Sequence, residues 1–155
     1  MPPSVLFVCL GNICRSPLAE AALRAEAQRL GIDIEVDSAG TGDWHVGRRP
    51  DPRTVAVARR NGIDISNLRA RQVCADDFYR FDHIVALDAQ NLTDLRALQP
   101  AGSTARLSLL LDHVEGRTGQ AVADPYYGDD AVFDAAWADA AAGAAGLARR
   151  LARQP

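Results

Sequence analysis

The hydrophobic pattern along this chain changes period repeatedly. Residues 5–9 are apolar without a break, Val-Leu-Phe-Val-Cys, as in a strand covered on both faces; a half-exposed strand would alternate. A Gly-Asn pair follows, and then Ser16-Pro17, which reads as the N-cap and first position of a helix. That helix carries Leu18, Ala22 and Ala25 near one face and is expected to end before Gly31. A second short strand is predicted over 32–36, followed by a Gly- and Pro-punctuated loop over 40–52. Asp51-Pro52 opens another helix that Gly62 ends. A third strand is expected over 83–87, a helix over 91–98 and a fourth strand over 106–111. A loop covers 123–130, and a final helix runs over about 131–153 with Phe133, Trp137, Ala144, Leu147 and Leu151 on one side.

Strands that alternate with helices imply right-handed crossovers and a parallel sheet. The expected fold is therefore α/β: a single domain over 1–155, a doubly wound four-stranded parallel sheet with helices on both faces. In such sheets a ligand sits beyond the C-terminal ends of the strands, so the loop after the first strand is the first place to look for chemistry.

Composition narrows the classes without choosing among them. A chain of 155 residues with 48% hydrophobic and 24% charged residues fits one soluble domain. A net charge of −3 gives no global pull toward nucleic acid or an anionic membrane. All 17 basic residues are arginine, for which a coding bias is explanation enough. The apolar run at the N-terminus is too short for a signal-peptide core or a membrane span. Three cysteines cannot complete a disulfide framework, which makes the reducing cytosol the expected compartment.

The segment after the first strand is Cys9-Leu10-Gly11-Asn12-Ile13-Cys14-Arg15-Ser16. A cysteine followed six positions later by arginine is weak evidence alone, because Cys74 and Arg80 have the same spacing. Context separates the two. At Cys9 a buried strand ends, a helix begins, and Gly11 and Asn12 tolerate positive φ, so successive N–H groups can curl inward as an anion nest. Arg15 adds a planar fork that grips two phosphate oxygens at once. The same positive surroundings favour the thiolate of Cys9, to which Ser16 can donate its hydroxyl. Around Cys74 there is no glycine, and Asp76 and Asp77 would repel a phosphate. No Gly-Lys-Ser/Thr follows, so this is not a nucleotide P-loop.

The whole stretch over 5–20, Val-Leu-Phe-Val-Cys-Leu-Gly-Asn-Ile-Cys-Arg-Ser-Pro-Leu-Ala-Glu, resembles the low-molecular-weight protein tyrosine phosphatases. So do Asp37-Ser38-Ala39-Gly40-Thr41, Trp44-His45-Val46-Gly47, Ala70-Arg71-Gln72 and Asp124-Pro125-Tyr126-Tyr127-Gly128, which occur in the family's order. The resemblance implies metal-free, cofactor-free hydrolysis of phosphotyrosine in proteins through a cysteinyl-phosphate. Cys9 matches the nucleophile, Arg15 the phosphate clamp, and Asp124 the acid that protonates the leaving phenolate and then activates water. Residues 10–16 match the phosphate-binding loop, Ser38 a hydroxyl that with Ser16 supports Asn12, and Trp44, His45, Tyr126 and Tyr127 the surround of the substrate slot. One departure stands out: many members carry His where this chain has Leu68, which leaves one polar partner of Asn12 open.

Bland readings compete at several positions. Asp124-Pro125 could be a simple turn and Trp44 a folded-back loop anchor. Cys14 is either a small apolar filler or a thiol that captures oxidised Cys9 as a disulfide. Cys74 is expected to be buried and inert, His83 and His113 to be structural, and no cluster has metal-ligand spacing. Arsenate reduction would need a further pair of cysteines downstream, and only Cys74 is there. Relatives that act on phosphoarginine tend to carry Thr where Ile13 stands, and the bulk of Ile13 favours a flat aromatic ring. A silent phosphate-binding module is disfavoured by the presence of Cys9, Arg15 and Asp124 together. Neither nucleic acid nor a membrane is expected as partner, and the chain is expected to be a monomer or weak dimer.

Overall fold

The computed structural model describes residues 1–153. Its sheet has four parallel strands in the order β2-β1-β3-β4: β1 Ser4–Cys9, β2 Glu35–Gly40, β3 His83–Ala86 and β4 Arg106–Leu109. Helices α1 Arg15–Leu30, α2 Pro52–Arg60, α3 Asp77–Arg80, α4 Ala89–Leu98 and α5 Asp130–Ala152 complete the chain, with a 3-10 turn at Leu110–His113. The doubly wound, single-domain reading holds.

All six residues of β1 are buried, and the unbroken apolar run has a simple cause. Alternate side chains feed two separate cores. Val5 and Phe7 join Leu18, Leu23, Val57, Phe133 and Leu147 beneath α1, α2 and α5. Leu6 and Val8 join Phe78, Phe81, Ile84, Leu92 and Leu95 on the other face. Burying a side chain of this size is worth about 1.5–3 kcal/mol, and β1 contributes to both cores at once. Trp137 packs against the first core.

Several boundaries differ from the sequence reading. The second strand covers Glu35–Gly40 rather than 32–36, and so carries Ser38 to the site. The fourth strand is shorter and breaks into the 3-10 turn at Leu110. Helix α4 begins at Ala89 because Asp88 caps it, accepting from the Asn91 N–H. Helix α1 begins at Arg15, with Cys14 as the N-cap residue and no side-chain cap. Ser16 is therefore not a cap; its hydroxyl is committed elsewhere. Cys74 is exposed, not buried, because the segment before α3 lies on the surface. The Cys74–Arg80 match ends in α3, and Arg80 pairs with Glu35, far from any anion site.

Candidate active site

Chain direction places the site. β1 ends at Cys9, and the loop over 10–14 must turn back into α1 within a few residues. Asn12 makes that turn at φ 57°, the one non-glycine residue with positive φ among the described residues. Gly11 does not share that conformation. The turn also needs room beside β2. A Cβ on Gly40 would lie 2.8 Å from the Leu10 carbonyl oxygen and 3.1 Å from the Gly11 carbonyl carbon, so only glycine lets the loop lie on the end of that strand.

Asn12 is 3% exposed and fully engaged. Its Nδ2 donates to Ser16 Oγ at 2.8 Å and Ser38 Oγ at 3.0 Å, and its Oδ1 accepts from the Arg71 N–H at 3.0 Å. Asn12 already donates into Ser16 Oγ, so the Ser16 proton is left to point at Cys9 Sγ, 3.0 Å away, or at the Ala39 carbonyl, 3.5 Å away. The opening left by Leu68 is thereby answered: Asn12 lacks no partner, and Leu68 packs against the apolar core. The polar chain continues through Ser38, which donates to Glu20 Oε1 at 2.7 Å. Glu20 is buried, and its other oxygen is held by Arg24 at 2.8 Å.

Arg15 is 4% exposed and held by two acceptors through one nitrogen. Nη1 donates to Asp88 Oδ2 at 2.7 Å and to the Val122 carbonyl at 3.0 Å. Its Nη2 lies 3.6 Å from Asp124 Oδ2. The guanidinium is thus fixed on one side and turned toward Asp124 on the other. Asp124 is half-exposed and accepts from the Tyr126 N–H at 3.1 Å, closing a tight turn.

A cleft of about 320 Å³ is lined by Cys9, Leu10, Gly11, Ile13, Cys14, Arg15, Trp44, His45, Asp124, Tyr126 and Tyr127. The remaining three residues drawn from the sequence, Asn12, Ser16 and Ser38, lie buried beneath the loop. Trp44 is exposed, as is Tyr127, which meets the Tyr126 ring edge-on at 4.9 Å. Cys14 shares the cleft with Cys9, but burial pushes its thiol up to about 12, against a smaller lowering by Thr54, so Cys14 stays protonated at neutral pH. Among the described residues no group of three or more His, Cys, Asp or Glu could hold a metal ion.

Sequence reasoning missed Asp88, Glu20, Arg71 and Arg53. Asp88 had a signal: it directly follows the third strand, where this sheet topology gathers functional side chains. Glu20 also had one, lying one helical turn beyond Ser16 on the same face. Arg71 stood in the Ala70-Arg71-Gln72 motif but without a role, since its contact with Asn12 is made by its backbone N–H; for Arg53, which donates to distant carbonyls, there was no signal.

This architecture recurs in known proteins. The family model described as low molecular weight phosphotyrosine protein phosphatase matches residues 4–155. A low molecular weight phosphotyrosine protein phosphatase of Schizosaccharomyces pombe is 48% identical over 127 residues, 80% of this chain and 81% of the relative. The crystal structure of YfkJ from Bacillus subtilis superposes with a TM-score of 0.91 at 40% identity, covering 99% of this chain and 98% of the other. A Drosophila arginine phosphatase structure superposes with a TM-score of 0.88 at 33% identity, covering 94% and 96%. With the family match spanning both the loop at Cys9 and the loop at Asp124, the chain belongs to the low molecular weight phosphotyrosine protein phosphatases.

Proposed function

We propose that this chain hydrolyses phosphotyrosine in proteins through a cysteinyl-phosphate, with Cys9 as nucleophile, Arg15 as phosphate clamp and Asp124 as acid and base. The observation that carries this reading is the single cleft that joins Cys9, Arg15 and Asp124 with Trp44, Tyr126 and Tyr127. Phosphoryl oxygens sit in the nest formed by residues 10–16 at the start of α1, where N–H groups and the Arg15 fork offset their charge. Cys9 Sγ attacks phosphorus as the bond to the tyrosine oxygen breaks, and Asp124 gives that oxygen its proton. In the second step Asp124 takes a proton from water, the water oxygen attacks phosphorus, and the P–S bond breaks to release phosphate and restore the thiolate. Ser16 stabilises the sulfur in both steps through its hydroxyl.

The aromatic walls suit a flat ring, and Ile13 adds an apolar side chain to the cleft lining. Likeness to an arginine phosphatase keeps phosphoarginine as the second reading. Parallel assays on phosphotyrosine, phosphoserine and phosphoarginine peptides separate the two. Cys14 serves as the thiol that captures oxidised Cys9. Three unpaired cysteines suit a reducing cytoplasm, and no helix among the described residues is long and apolar enough to cross a membrane.

Asp124→Asn tests the acid. Phosphoryl transfer from phosphotyrosine, whose phenol has a pKa near ~10, should slow by about a hundred- to ten-thousand-fold, whereas an aryl phosphate with an acidic phenol should lose little. The transfer step must be read by burst or single-turnover kinetics. Equal loss on both substrates would show that Asp124 positions the loop and donates no proton.

A further inference from the structure

We infer that Arg53 is a positioning residue that holds the Asp124 loop over the phosphate site. The inference rests on the reading of Asp124 as the acid.

Arg53 lies in the first turn of α2, away from the cleft lining, yet it makes contacts on two sides. On one side its Nε and Nη2 meet the two oxygens of Asp51 at 3.1 and 2.9 Å. Asp51 caps α2 by accepting from the Arg53 N–H at 2.8 Å, and its own N–H donates to the Ile13 carbonyl at 2.9 Å. Asp51 is thus bonded directly to the backbone of the phosphate loop. Burial raises the Asp51 pKa, but the Arg53 hydrogen bonds outweigh it and hold the carboxyl below its ordinary value, so this pair is charged at neutral pH.

On the other side Nη2 donates to the Tyr126 carbonyl at 2.8 Å and Nη1 to the Gly128 carbonyl at 3.2 Å. The guanidinium also stacks on Phe133 of α5, 4.5 Å from the ring centroid, and lies 5.8 Å from the Tyr126 ring. Tyr126 is therefore gripped at both ends: its N–H binds the Asp124 carboxylate, and its carbonyl binds Arg53. One planar cation connects the phosphate loop, through Asp51, to the turn that aims the acid. Lysine has no fork with which to make these bonds together.

Such a link matters because Asp124 has few other restraints. Its side chain is 46% exposed, and Arg15 Nη2 stands 3.6 Å away. Displacements of about 1 Å at a catalytic group can cost up to a hundred-fold in rate. Losing Arg53 should therefore impair proton donation while sparing phosphate binding, since the side-chain hydrogen bonds of Arg53 go to Asp51, Tyr126 and Gly128 and none to residues 10–16.

The test uses the full chain as Arg53→Met, Asp124→Asn and the double variant. Single-turnover transfer is measured from phosphotyrosine and from an aryl phosphate with an acidic phenol, alongside inhibition by inorganic phosphate. Arg53→Met should slow transfer from phosphotyrosine about ten- to a hundred-fold, with the activated ester and phosphate inhibition changed less than about two-fold. Added to Asp124→Asn, it should cost the phosphotyrosine reaction nothing further, because the two residues act as one unit. Equal loss on both esters, or losses that multiply in the double variant, would overturn the inference. Should Arg53→Met fail to fold, Arg53→Lys reads the same ratio with the charge kept and the fork removed. If Asp124→Asn discriminates between the esters and neither Arg53 variant does, the role of Arg53 falls alone. If Asp124→Asn does not discriminate, the acid assignment falls and this inference with it.

Discussion

Replacing Asn12 by alanine removes the centre of a buried polar network beneath the cleft. The substitution deletes two donated and one accepted hydrogen bond, all in a buried setting. At a net worth of about 0.5–1.5 kcal/mol each, these sum to about 3 kcal/mol, and the Arg71 N–H is left without its partner at a further cost of about 1 kcal/mol. Alanine must also adopt the left-handed conformation at φ 57°, which costs an ordinary residue about 1–2 kcal/mol and asparagine less. The expected loss is about 4–5 kcal/mol out of a typical total of about 5–15. Asn12→Gly loses the same hydrogen bonds but accepts the conformation, so it should be more stable than the alanine variant by about 1 kcal/mol, even after the greater freedom of glycine in the unfolded chain. Urea unfolding followed by far-UV circular dichroism measures both. The same loop is the proposed phosphate cradle, so a site competent only part of the time would bind more weakly in proportion, and inhibition by inorganic phosphate should weaken about ten-fold or more in either variant. A loss under about 1 kcal/mol in Asn12→Ala, or an alanine variant as stable as the glycine one, would refute the reasoning.

Mild peroxide should inactivate the protein reversibly, with Cys9 and Cys14 found linked on peptide mapping; Cys14→Ser should then fail to recover on adding thiol. Cys9 unlinked, with full recovery in that variant, would leave Cys14 a filler. As a control, alkylation under saturating phosphate should mark the exposed Cys74 and leave activity intact. A third expectation concerns acid stability. Burial first, and then the Arg150 charge, lower the His113 pKa from 6.5 to about 4. The unfolded chain therefore takes up a proton that the folded chain refuses. The resulting stability is fully present above pH 6.5 and is lost as the pH falls through about 4. His113→Gln should flatten the dependence of the urea midpoint between those limits, and an unchanged slope would count against the assignment.

Most of the fold and nearly all of the cleft were legible in the chain, for identifiable reasons. The uninterrupted run in β1 could be read because one strand serves two cores, which suppresses alternation. Cys9, Arg15 and the loop between them are contiguous, so a motif carries them. Cys74 was misjudged because an apolar thiol tends to be buried, and nothing local announces that its segment lies on the surface. Ser16 was misread as a cap because Ser-Pro fits a helix start; its hydroxyl is instead claimed by Asn12 and Cys9, partners fixed by the loop rather than by the helix. Arg53 escaped notice because it binds backbone carbonyls far along the chain, and Arg71 because it serves Asn12 through its own backbone N–H; a carbonyl or an N–H has no sequence identity to read.

The central place of β1 in the sheet divides the active site by resistance to opening. Cys9 ends a strand flanked by β2 and β3, and Arg15 begins a helix packed along α5, so both are anchored to the parts of the fold that open last. Asp124 hangs from a segment tied to the sheet by the single bond from the Val122 N–H to the Leu87 carbonyl, and beyond it by side-chain contacts. Local fluctuations that never disturb the core can release that segment. The proposed phosphate cradle therefore belongs to a heavily restrained part of the fold and the proposed acid to a lightly restrained one, so a substitution in the Asp124 segment should cost less global stability than one in the cradle.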